Sequence, residues 1–136
     1  MVKNLRIAGG YKVVMELYSP YRVRIYEYND RIKESGYYLK PLHIVHKVVG
    51  GRRLKYLYFG RYWYRVVRKR GKVRWVYVGR DKPDPHLPDP PITPFEGIGI
   101  LVEGNDILVD ERTYEVLVKI SIRVKGENLL PEVLSE

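Results

Sequence analysis

Residues 52–80 read RRLKYLYFGRYWYRVVRKRGKVRWVYVGR, a stretch with eleven Lys or Arg, eight aromatic residues and no Asp or Glu. Residues 61–69 can fold back on 72–80 through Arg70-Gly71, because Gly adopts positive φ without a Cβ clash. With a two-residue loop, Tyr62, Tyr64, Val66, Val73, Trp75 and Tyr77 share one face, and Arg61, Trp63, Arg65, Lys69, Lys72 and Arg74 share the other. The first set then reads as a core face and the second as a cationic face. A three-residue loop with left-handed Gly71 slips the pairing by one. It groups Trp63, Trp75 and Tyr77 and turns Arg68, Lys72 and Arg74 outward with Tyr62 and Tyr64. In either register cations and an aromatic ring are exposed together.

On the N-terminal side of this hairpin, LHIVHKVV (42–49) runs into Gly50-Gly51, a second two-residue hairpin signal. Further back, YKVVMELY (11–18) sets Tyr11, Val13, Met15 and Leu17 at a period of two. After Ser19-Pro20, YRVRIYEY (21–28) alternates Tyr21, Val23 and Ile25 against Arg22, Arg24, Tyr26 and Tyr28, so another hairpin is expected over 11–28. NDRIKESG (29–36) reads as loop or short helix.

On the C-terminal side, DKPDPHLPDPPITPFEG (81–97) holds six of the nine prolines. Without amide donors it reads as a semi-rigid strap, within the chain or reaching a neighbour. Strands at 98–102 and 107–109 flank a turn at 103–106. In TYEVLVKISIRV (113–124) six apolar residues alternate with the rest, which predicts a strand. The tail ENLLPEVLSE reads as a brief helical turn or loose chain.

These elements predict a mainly β fold, an antiparallel barrel or sandwich of about seven or eight strands with little helix. The alternative is α+β, if 29–40 or the tail is more helical than it reads. At 136 residues the chain is expected to form a single β-rich domain, residues 1–136, and to bury roughly two-thirds of its unfolded surface. Within it the strap 81–97 joins a basic part, 1–80, to an acidic β part, 98–136. Residues 1–80 carry twenty Lys/Arg against four Asp/Glu, a charge of +16, and residues 81–136, strap included, carry five against twelve, a charge of −7.

Cysteine is absent, which excludes disulfides and thiolate metal sites. The N-terminus lacks the apolar core of a signal peptide, and no apolar run approaches the ~18 residues that span a bilayer. A cytoplasmic protein without a membrane partner is expected. His43 and His46 stand at i and i+3, which on a strand face opposite ways. The pair therefore departs from the His-hydrophobic-His metal spacing of small rolling-circle replication initiators. His86 lies among Asp81, Asp84 and Asp89 in the strap, where acidic residues beside prolines are ordinary turn formers. No phosphate loop, dinucleotide fingerprint or serine elbow occurs. No catalytic residue, metal or cofactor is expected, and a metal-dependent nuclease or replication initiator is the weakest reading.

The segment GRYWYRVVRKRGKVRWVYVGR, through Gly60, Tyr62, Tyr64, Gly71-Lys72, Tyr77 and Gly79-Arg80, resembles a short hairpin of DNA-associated and mobile-element proteins of archaea and bacteria. Trp63 stands where that hairpin has its middle Tyr. In composition the whole chain resembles small basic proteins of hyperthermophilic archaea and their viruses, which would put it in a host cytoplasm if viral. That likeness of composition implies no activity. Taken together, the sequence predicts a non-enzymatic module for DNA or RNA with weak sequence specificity. Phosphates would be held by Arg61, Arg65, Lys69, Arg70, Lys72 and Arg74, and bases would stack on Trp63 and neighbouring Tyr. The rival expectation is a homo-oligomeric assembly protein whose basic part docks on a neighbour's acidic part, with the strap as the exchanging arm.

Overall fold

A computed structural model of the chain describes residues 5–135. In chain order the elements are β1 (Leu5–Ile7), α1 (Gly10–Arg31), a 3-10 turn at Lys33–Ser35, β2 (Tyr37–Val49), β3 (Arg52–Lys69) and β4 (Lys72–Gly79). After the strap come β5 (Gly99–Glu103), β6 (Asp106–Val109), α2 (Glu111–Lys125) and β7 (Val133–Ser135). The fold is mostly β, built on one antiparallel sheet of seven strands. The sheet is open, in the order β2-β3-β5-β6-β1-β7 with β4 also on β3, and does not close into a barrel.

Three tight turns build the sheet where glycines lead one to look. Gly50-Gly51 joins β2 to β3, with Val49 opposite Arg52. Arg70-Gly71 joins β3 to β4, with Lys69 opposite Lys72, so the two-residue register holds. Gly104-Asn105 joins β5 to β6. At 18 residues β3 is longer than either neighbour on its second edge, and they share it end to end. Residues 55–58 pair with β5 and residues 63–69 with β4. The β3–β4 ribbon thus extends from the body as an arm.

The expectation of little helix is overturned at two places. Residues 11–28, read as a hairpin, lie in the 22-residue α1, and residues 113–124, read as a strand, lie in the 15-residue α2. Along α1 the inward residues are Val14, Tyr18, Tyr21, Ile25, Tyr28 and Ile32, spaced four and three apart in the rhythm of one helix face. Pro20 sits inside α1 at an exposed position, so the amide it lacks falls on the solvent side. In α2 the Asp110 carboxylate accepts the Thr113 amide at 2.7 Å, and left-handed Gly126 ends the helix. The tail, read as helical or loose, instead forms β7 along β1.

Both helices cover the same face of the sheet. Val14, Leu17 and Tyr18 of α1 and Leu117 and Ile120 of α2 pack with Ile7, Leu57, Phe59, Ile100, Ile107 and Val109. Gly10 is where α1 meets the sheet most closely, since a Cβ there would stand 2.8 Å from Ile107 Cγ1. A second cluster beside the first joins Ile25, Tyr28 and Ile32 to Leu39, Trp63 and Leu87. The strap packs on its own chain. Phe95 is buried against Tyr18 and Phe59, the Tyr28 hydroxyl donates to Pro88 O at 2.6 Å, and Gly97 donates to Phe59 O at 2.9 Å. Among the described residues no helix is long and apolar enough to cross a membrane.

Candidate nucleic-acid interface

The alternation of β3 decides what each face of the arm carries. Leu57, Phe59 and Trp63 point toward the helices, so Tyr56, Tyr58, Tyr62 and Tyr64 lie on the opposite face, away from the helix-packed core, with Tyr26 and Asp30 of α1 reaching its edge beside Tyr38 and Trp75. Cross-strand partners place Tyr38, Lys40 and His43 of β2 and Trp75 and Tyr77 of β4 on that same bare face. The rings touch one another. Tyr38 meets Trp75 at 4.9 Å between centroids, Tyr64 meets Tyr77 at 5.5 Å, and His43 meets Tyr62 at 5.5 Å. Tyr56 and Tyr58 stack at 6.1 Å with planes 8° apart. Two glycines lie beneath these rings at ordinary contact distance. A Cβ on Gly60 would stand 3.4 Å from the Tyr62 ring, and one on Gly99 would stand 3.5 Å from Tyr58.

Cations edge this aromatic strip. Lys40 Nζ lies 5.8 Å from the Tyr64 ring centre, Lys47 Nζ 5.3 Å from Tyr56, and the Arg80 guanidinium 6.0 Å from Tyr62. Burial, with Tyr26 adding to it, pushes the Tyr38 hydroxyl above the ordinary tyrosine range, so it stays a donor throughout the neutral range.

The residues expected from sequence separate into three groups. Trp63 is fully buried at 0% exposure, edge-on to Tyr28 at 6.1 Å, and is therefore no stacking platform. Arg61 is held by Glu96 at 2.9 Å. Arg65, Lys69, Lys72 and Arg74 lie together at the exposed end of the arm on the Trp63 side, with Arg70 in the turn. The expected pairing of cations with Trp63 thus dissolves. The exposed rings stand back to back with those cations, across the thickness of the ribbon.

Charge complementarity between the two parts of the chain is met internally at a few points. Arg6 bonds Glu103 and Asp106, Arg52 bonds Glu103 and Arg61 bonds Glu96, while Lys82 bonds Asp89 within the strap itself. At the arm tip, Arg65, Arg68, Lys69, Arg70, Lys72 and Arg74 have no ion-pair partner among the described residues. Two local choices there work against stability. Lys69 and Lys72 face each other directly, and Arg70 adopts φ 51 in a turn that favours Asn or Gly.

Trp75, Tyr77, Tyr38 and Lys40 were not singled out from sequence as site residues, whereas Tyr62 and Tyr64 are the tyrosines beside Trp63 that were expected to stack. The two-residue register does put Tyr62, Tyr64, Trp75 and Tyr77 on one face, but as the core face. Trp75 is 51% exposed. The histidines do not converge, since His43 lies opposite Tyr58 on the bare face and His46 opposite Lys55 on the other. His86 contacts Asp84 at 3.1 Å in the strap. Among the described residues no three His, Asp or Glu side chains gather as a metal site would need. Compared with protein-family models, with curated proteins and with solved structures, the chain matches none.

Proposed function

We propose that this protein is a non-enzymatic nucleic-acid-binding module that grips DNA or RNA through the β3–β4 arm. Phosphates meet the tip cations Arg65, Lys69, Arg70, Lys72 and Arg74, together with Arg68, and bases meet the bare aromatic face at the arm's root. The observation that carries the reading is the tip itself. Six cations within residues 65–74 stand without a carboxylate, two of them face to face and one in a strained backbone position. Local choices that oppose stability and have no internal compensation mark a site kept for a ligand, and a polyanion supplies the missing charge.

The full chain, titrated with labelled oligonucleotides over a series of salt concentrations, tests it. Log K should fall linearly with log salt. Replacing Arg65, Lys69 and Arg74 with Gln should flatten the slope by ~0.9 per lost contact on duplex, or ~0.7 on a single strand. Absence of binding at low salt, or a slope that the triple variant leaves unchanged, sinks the reading. The assembly rival has less to stand on, because the strap packs within its own chain and the acidic groups that pair do so internally. Light scattering across the same salt series checks it. A salt-sensitive oligomer that ignores nucleic acid would reverse the preference.

A further inference from the structure

At the root of the arm, register brings three rings from three strands around one opening. Tyr38 of β2 is the cross-strand partner of Tyr64 on β3, and Trp75 of β4 pairs with Val66, two residues further along β3. Tyr38 and Tyr64 both meet the Trp75 ring edge-on, at 4.9 Å and 88° and at 6.4 Å and 73°. With Lys40 they line a cavity of about 350 Å³. Two near-perpendicular tyrosines thus brace an indole that remains half exposed.

Size and charge narrow the occupant. The volume is at the small end for ligand pockets, suited to one planar ring system. A quaternary ammonium or other cation is opposed by Lys40 and by the +16 charge of residues 1–80. A bare inorganic anion would find one ammonium and otherwise hydrocarbon and phenol. A neutral aromatic ring carried on an anionic chain satisfies walls and charge together. In a duplex the faces of bases are covered by their stacked neighbours. Only an unpaired base can offer its face to Trp75.

We propose that Tyr38, Tyr64 and Trp75, with Lys40, form a slot for one unpaired nucleobase, and that the protein therefore selects single-stranded over duplex nucleic acid. This rests on the nucleic-acid reading above and sharpens it. Lys40 takes the phosphate beside the slotted base, and the Tyr56–Tyr58 stack continues the platform along β3.

Trp75 makes the idea directly observable. The chain has two tryptophans, and Trp63 is sealed in the core. A base that quenches indole emission by stacking must therefore act on Trp75. The full chain is titrated at low salt with oligo-dT, with oligo-U, with a duplex of equal length and with the dT strand carrying abasic sugars, reading anisotropy and tryptophan emission together. We expect the dT or U strand to bind at least tenfold tighter than duplex and to quench emission. Trp75→Ala should weaken that strand about ten- to a hundredfold while leaving duplex affinity unchanged and moving the thermal midpoint by no more than about 5 °C. Trp75→Phe, which keeps a ring, should retain most of the affinity without the quench. The abasic strand should bind wild type at least as weakly as the intact strand binds Trp75→Ala. Oligo-dU, titrated beside oligo-U so that the base is held constant, identifies the sugar by which of the two binds tighter. Equal affinity for duplex and single strand, or undiminished binding of the abasic strand, overturns the slot while leaving the salt-dependent grip of the arm intact. No binding to any strand overturns both.

Discussion

Asn29 hydrogen-bonds Leu39 twice, with Nδ2 donating to the Leu39 carbonyl and Oδ1 accepting the Leu39 amide, each at 2.8 Å. One side chain near the end of α1 thereby acts as a short strand along the outer edge of β2, where the sheet would otherwise present an unpaired donor and acceptor. Asn29→Ala leaves two buried backbone groups without partners, at about 1–3 kcal/mol each. We expect urea unfolding to show a loss of about 2–4 kcal/mol with an unchanged m-value. A loss under about 0.5 kcal/mol, the usual range of a surface substitution, would mean the two bonds do not form in solution.

The two tryptophans should behave as opposites. Trp63→Ala empties a fully buried site between Tyr28 and Leu39 and should cost about 3–5 kcal/mol. Trp75→Ala, on the open face, should stay within roughly 1 kcal/mol, the scale of its edge-on contacts with Tyr38 and Tyr64. Denaturation curves of the two variants check this, and a reversed order would refute the assignment of faces on β3.

Arg70 gives a test in which stability and binding move apart. Its φ of 51 is a left-handed conformation that costs an ordinary residue about 1–2 kcal/mol, and Arg70→Asn creates the Asn-Gly pair such turns favour. The variant should melt higher than the parent and bind nucleic acid several-fold more weakly. A variant that melts higher and binds equally well would remove Arg70 from the interface.

Acid should loosen the side of the molecule where Arg6 and Arg52 converge. Hydrogen bonds from Arg52 and then Arg6 hold the Glu103 carboxyl down at about 2, against an ordinary 4.5, and the Gly9 amide with Arg6 lowers Asp106. Both groups take up protons more readily when the chain is unfolded. Their contribution is therefore complete above about pH 4.5 and disappears as the pH falls toward 2. Melting temperature followed from pH 6 to pH 2 should decline across that window. Glu103→Gln should start lower and decline less. An identical decline in the variant would assign the acid sensitivity to other groups.

What could be read from the chain was what is local. Gly50-Gly51, Arg70-Gly71 and Gly104-Asn105 announce their turns because the turn geometry needs residues at ease with positive φ. The strands they join followed in register, down to the residues that share a face on the arm. For α2 the caps were also local, since Asp110 and Gly126 frame the helix. The alternation from Tyr114 to Val124 drowned them out. It assigned Leu117 and Ser121 to the polar side, yet both point inward, and Ser121 is satisfied there by Glu127 O and the Leu129 amide. The strand-favouring Tyr, Val and Ile of α1 and its Ser19-Pro20 pair outweighed a spacing of four and three that runs from Val14 to Ile32. With both helices read as strands, nothing remained to show which face of the sheet was covered. The cations of the site and the tyrosines beside Trp63 were legible, whereas the buried Trp63 was taken for a stacking platform and the exposed Trp75 was not.

The start of α1 explains why no local motif could announce it, and it bears on how the protein folds. Gly9 offers no side-chain cap. The Gly9 amide is instead taken by the Asp106 carboxylate at 2.9 Å and the Tyr11 amide by the Asn105 carbonyl at 3.1 Å. β1, just before it, pairs only with β6 and β7. The start of α1 is thus completed by a turn nearly a hundred residues further along the chain. Closing a loop of that length precedes any reward for ordering the N-terminal segment, so the body closes in one late, cooperative step. Within the β2–β3–β4 ribbon the pairings join strands adjacent in sequence, so its loops are the shortest to close and it is expected to form ahead of the body.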